Sequence, residues 1–141
     1  MSNPVLLAVL SGTLVFVFGQ VLQKFVLEPI YEYKKIVRKI DNKLKYYANI
    51  LTNSGFNKEL IVKVTDTVRA LSCDLESSYK QIPFNNFFST IETIETKNNI
   101  AEVATKLISI SNSGGRSGER TIRCNDEIEK VRKMLKIESL N

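Results

Sequence analysis

The stretch Ser113-Gly114-Gly115-Arg116-Ser117-Gly118-Glu119-Arg120 is where this chain comes nearest to a phosphate cradle. A helix starting there, flanked by Arg116, Arg120 and Arg123, would offer free N–H groups and positive charge to an anion. The site is a weak candidate. It does not match G-x-x-x-x-G-K-[ST], since no lysine follows and no buried strand precedes it, and an inter-helix linker is the default reading. Other reactive side chains are few. The chain has no histidine, so zinc catalysis and histidine general-base chemistry are effectively excluded. Cys73 and Cys124 lie in no CxxC or Cys/His spacing and read as small, partly buried apolar residues. Glu92 with Glu95, and Asp126 with Glu127, read as solvated pairs, with nothing to bring two carboxylates into one pocket. These residues point to a non-enzymatic protein with no cofactor, no metal site and no catalytic residue.

The elements that would carry any function are dominated by the N-terminus. Residues Ser2 to Gln23 hold no charged side chain, and all 20 basic and 15 acidic residues lie after them. As a helix this run spans about 33 Å, enough to cross the hydrocarbon core of a bilayer. A cleaved signal peptide would need basic residues before the apolar run and a small-x-small site after it. No Lys or Arg precedes Lys24, and the run leads into Lys24-Phe25-Val26-Leu27-Glu28-Pro29 instead. The expectation is a retained single-pass anchor over residues 1–28 and one helical domain over 29–141.

Charge sets the expected orientation. From Lys24 to Tyr47 there are seven basic and three acidic residues, which is +4 of the chain's net +5. Basic residues directly after a span favour the cytoplasmic side, so the N-terminus is expected outside and the domain inside, at the cell inner membrane. Lys24, Lys34, Lys35, Arg38 and Lys39 are the candidates for contact with anionic headgroups. The remainder of the chain is close to neutral and shows no recognition signature, so nucleic acid is not an expected partner.

On a helical wheel Ala8, Ser11, Gly12, Gly19 and Gln23 share one arc of the span, with Val15 among them, and form a candidate face for helix association. Small residues let two backbones approach, and an amide finds in a second helix the partner that lipid withholds. After the span, Pro29 predicts a kink or a helix restart at Glu28-Pro29. Ile30, Tyr33, Val37, Ile40, Leu44, Tyr47 and Leu51 then alternate spacings of three and four, an amphipathic helix ending near Thr52-Asn53-Ser54-Gly55. A second helix is expected from Asn57 to Lys80 on Leu60 or Ile61, Val64, Val68, Leu71, Leu75 and Tyr79. Phe84-Asn85-Asn86-Phe87-Phe88 is assigned to a short helix or turn plugging one end of the bundle, the alternative being a loop that touches the membrane. The path of residues 90–97 stays open between helix and connector.

Asn99 and Glu102 have capping-box spacing and predict a helix start at Ile100, with Ile100, Val103, Ala104, Leu107, Ile108 and Ser111 buried. A last helix is expected from Glu119 to Glu138 on Cys124, Ile128, Val131 and Leu135. The fold class is therefore all-α: one transmembrane helix followed by a bundle of about four helices. Glu28-Pro29-Ile30, Tyr46-Tyr47-Ala48-Asn49, Ile82-Pro83, Leu107-Ile108 and Ser111-Asn112-Ser113 together resemble a family of small bacterial single-pass membrane proteins of uncharacterised role. That resemblance implies a bacterial or phage setting and brings no catalytic residue with it. The leading expectation is a membrane-tethered helical interaction module, a homo-oligomer with a further protein partner in prospect. The alternative is a membrane-disrupting, pore-forming effector of a toxin or phage-defence system, in which Ser11, Gln20 and Gln23 would face a lumen.

Overall fold

The computed structural model describes residues 3–52, 56–113 and 119–137, the last segment as backbone alone over 119–122. Its described residues are all-helical. The first element, α1 (Pro4–Leu22), opens with Pro4 at a position where its missing N–H costs nothing, and Leu7 N–H bonds back to the Asn3 carbonyl at 3.2 Å. A five-residue π turn (Gln23–Leu27) follows, and α2 (Glu28–Thr52) continues without a break. The resulting helix runs 49 residues, roughly 74 Å.

Pro29 therefore neither restarts the helix nor ends it. An α turn would leave the Phe25 carbonyl facing a proline ring with no N–H. The wide turn just before it, in which Glu28 N–H bonds to the Gln23 carbonyl, absorbs the mismatch within the helix. The expected boundary between residues 28 and 29 thus falls inside continuous helix.

Three long helices then fold back on α2. Helix α3 (Lys58–Lys80) begins on the Asn57 side chain, whose Oδ1 accepts from Glu59 N–H at 3.2 Å. It runs antiparallel to α2, with the Tyr79 ring edge-on to Tyr33 at 6.0 Å and Lys39 3.6 Å from Asp74. After the short α4 (Asn85–Thr90), helix α5 (Lys97–Ser113) turns back along α3. The Ser72 hydroxyl donates to the Ala104 carbonyl at 2.9 Å, and Arg69 reaches Asn112 at 2.9 Å. Helix α6 (Glu119–Met134) returns beside α2 and α5, where Arg132 Nε lies 2.9 Å from Asp41 Oδ1. This is an up-down-up-down bundle. Its lower end, where α1 enters, gathers the start of α2, the residues between α3 and α5, and the end of α6.

The core lies where the four stripes meet: Ile40, Leu44 and Leu51 from α2, Val64, Val68, Leu71 and Leu75 from α3, Val103, Leu107 and Ile110 from α5, Cys124 and Val131 from α6. In α2 the stripe holds, with Val37 and Tyr47 half-buried at its edges. Several expectations need correction. Ile108 is 41% exposed and Ile110 takes its place, because the neighbours of α5 lie on the other side of Leu107. Helix α5 starts at Lys97, not Ile100. Thr96 Oγ1 accepts from Asn99 N–H at 3.3 Å, whereas the Asn99 amide is turned to Glu95 Oε2 at 3.2 Å. Helix α6 ends at Met134, short of the Glu138 expected. Of the aromatic stretch only Phe88 packs on the core, so Phe84 and Phe87 plug nothing.

The two cysteines differ. Cys73 is exposed, one residue past the Ser72 that makes the α3–α5 contact, and Cys124 is buried. Burial, with the nearby Glu127 carboxylate adding to it, pushes the Cys124 thiol up to about 11. Burial likewise raises the Tyr33 and Tyr79 hydroxyls. Groups whose pKa is raised by folding stay neutral in both states at low pH and cost stability once the unfolded chain ionises first. Stability is therefore expected to be flat at neutral pH and to fall as pH rises from the ordinary thiol value of 9.0 towards about 11. Urea midpoints measured across that range check it, and Cys124→Ala should remove the thiol's share. A thiol reagent at neutral pH should modify Cys73 in the folded protein and Cys124 only after unfolding.

Candidate functional site

Helix α1 buries none of its residues. Val5, Val15, Phe16 and Phe18 are each more than three-fifths exposed, and no part of the apolar run rests on the bundle. Its hydroxyls are satisfied locally, Ser11 Oγ donating to the Ala8 carbonyl and Thr13 Oγ1 to the Val9 carbonyl, both at 2.9 Å. No other described helix is long and apolar enough to cross a membrane. A soluble chain rarely leaves so large a contiguous apolar surface uncovered.

The small-residue face is unpartnered among the described residues. Ala8 and Gly12 are one turn apart and Gly19 lies two turns on, with Ser11 beside them. A Cβ built on Gly12 or Gly19 meets nothing within 4 Å. Neither glycine is therefore required by this chain's own packing. Gln23 sits in the first position of the π turn, where the α register of the stripe ends.

The basic residues after α1 separate into two kinds. Lys24 lies in the π turn, level with the end of the apolar run. Helix α2 then carries Lys34 and Lys35 about 15 Å further along the axis and Arg38 and Lys39 about 22 Å, beyond one Debye length of a surface at Lys24. Lys35 is 3.2 Å from Glu32 and Lys39 is 3.6 Å from Asp74, so both carry acidic partners. Lys34 and Arg38 have no ion-pair partner among the described residues. Both line a groove of about 650 Å³ between α2, Glu92–Glu95 and the residues after α6.

At the floor of that groove lies Glu95, which is buried, not solvated as its sequence suggests. Lys136 Nζ lies 3.6 Å from one of its oxygens, and Asn99 donates to the other. Asp41, on the same wall, holds Arg132 and also Lys45 at 2.7 Å. These carboxylates are committed to tying α6 and the α4–α5 connection onto α2. Nothing in the sequence marked Glu95, because Lys136 reaches it from 41 residues away. Beside the unpaired Lys34 and Arg38 the groove holds the paired Asp41, Glu95 and Lys136, and the described residues contain no group of three or more potential metal ligands. Glu127 likewise departs from the expected solvated pair: its Oε2 is buried without a hydrogen-bond partner among the described residues, whereas Asp126 is exposed.

Of the arginine cluster, Arg123 belongs to the opposite end of the molecule. Helix α6 runs from the upper end, where Arg123 is exposed in its second turn, down to Arg132 beside Asp41. Arg116 and the Arg120 side chain lie outside the described residues, so the anion site proposed there has only Arg123 in view.

The comparisons with known proteins identify no relative. No family model, no curated protein and no solved structure matches the chain. What the protein does must be argued from its own surface.

Proposed function

We propose that the protein is a membrane-anchored helical interaction module: α1 spans a bilayer and the bundle stands at its cytoplasmic face. The observation that carries this reading is the complete exposure of a 19-residue apolar helix beside a bundle whose core closes without it. In water that surface has no favourable partner; in hydrocarbon it needs none, because every backbone group inside a helix is already bonded. The excess of basic residues after α1 supports an N-out, C-in orientation. A bacterial inner membrane is the setting implied by the short motifs that resemble small bacterial single-pass proteins.

Association of two or more copies through Ala8, Ser11, Gly12 and Gly19 is part of the proposal. Particle mass in mild detergent tests it. The native chain is expected to run as an oligomer, and Gly12→Leu with Gly19→Leu is expected to shift it to monomer. Both side chains enter open space within one chain, so loss of assembly reports a contact between chains and not damage within one. A particle that is monomeric from the start removes self-association from the reading and leaves the anchor, whereas an oligomer indifferent to both changes removes this face as its contact.

A further inference from the structure

We infer that the residues between α3 and α5 make a second contact with the bilayer that receives α1, with Phe84, Phe87 and Ile91 entering the headgroup layer. The inference rests on the proposed anchoring of α1 and adds where the bundle sits against the lipid.

The argument begins with height along the long helix. Tyr33, nine residues past Lys24, stands about 14 Å along the axis from the end of the apolar run. Tyr79 packs against it near the end of α3, so the chain leaves α3 at that level. It returns there too, since Ile94 and Glu95 line the same groove as Tyr33. Ile82 and Ile94 are buried at the two ends of the excursion. Below that level Ile30 is buried and Val26 packs on the core, so this end of the bundle, to which residues 84–91 belong, reaches down to the π turn at the end of the apolar run. A headgroup layer occupies about 5–8 Å of the height between that turn and Tyr33.

The residues placed there are wrong for water and right for an interface. Phe84 is 78% exposed, Phe87 62% and Ile91 52%, although Phe88 between them packs on the core. Helix α4 makes no substantial packing contact with another helix. It is bracketed by two non-glycine residues in the left-handed region, Phe84 at φ 52° and Glu92 at φ 56°, which turn the chain sharply on either side of it. The cleft beside it holds Asn85, Asn86, Lys80 and Lys97 together with Glu76, which lies 3.5 Å from Lys80, so the apolar tip and not charge is what suits it to lipid. A protein partner fits less well. The three side chains offer about 400 Å² of apolar surface, around half of what each side of a stable protein interface buries.

The sequence contains no tryptophan, so a single introduced one is an unambiguous reporter. Full-length Phe87→Trp and Ile91→Trp, reconstituted in phosphatidylcholine–phosphatidylglycerol vesicles with lipids brominated near the headgroup, should show blue-shifted emission that the bromine quenches. Tyr46→Trp, on the exposed upper part of α2, should be neither shifted nor quenched. Phe16→Trp reports the anchor separately, using lipids brominated deeper in the chain. Quenching at Phe16→Trp with none at Phe87→Trp or Ile91→Trp overturns the second contact, leaves the anchor standing and frees the surface for a protein. No quenching at Phe16→Trp overturns both.

Discussion

The double substitution Leu10→Arg with Leu14→Arg is expected to release the protein from membranes and to leave the unfolding of its bundle unchanged. Each arginine near the centre of a spanning helix costs about 3 kcal/mol relative to leucine, so the pair opposes insertion by about 6 kcal/mol. Both positions are exposed and touch nothing in the bundle, which removes any route by which they could disturb the core. The readouts are the fraction that stays with membranes after alkaline carbonate extraction, and the urea midpoint of the solubilised protein. If the arginine variant stays in the membrane fraction, α1 is not the anchor. A bundle that loses stability along with membrane binding would mean that α1 packs on the domain in solution.

Leu75→Ala is expected to have the reverse pattern, a loss of stability with membrane association retained. Leu75 is fully buried on α3, the helix that packs against both α2 and α5, and truncating such a leucine removes about 2–5 kcal/mol through lost transfer energy and the cavity left behind. For a domain of this size that is a large share of the total stability. The urea midpoint should fall with little change in slope, which marks lost stability and not a changed unfolded state. Val62→Ala, on the exposed face of the same helix, should stay within about 0.5 kcal/mol of the parent. Because α1 buries none of its residues and Leu75 lies in the bundle core, the arginine pair and Leu75→Ala should act independently in the combined variant.

The features legible in the sequence are those with a local cause. An uncharged run of two dozen residues is apolar whatever surrounds it, and α1 follows from it. The three-and-four spacing of α2 and α3 survives because an amphipathic helix must put one face inward, so Ile40, Leu44, Val64, Val68, Leu71 and Leu75 had few alternatives. Asn57 caps α3 because its oxygen reaches an amide two residues away.

What the tertiary structure decided depends on where a neighbouring helix lies. Ser72 is buried and Cys73 exposed because the α3–α5 crossing puts Ser72 opposite the Ala104 carbonyl, a register that intrinsic hydrophobicity would have reversed. Glu95 is buried because Lys136 arrives beside it from the far end of the chain, and Ile110 displaces Ile108 for a similar reason. Even Pro29 is a case of this kind: proline sets a demand for a missing amide, and the π turn before it meets that demand without breaking the helix. Composition and period thus determined which segments are helices and which one is fit for lipid, since those properties reside in consecutive residues. Which faces are covered, and that Phe84 and Phe87 lie at the same end as α1, depended on contacts between residues tens of positions apart, which no local pattern encodes.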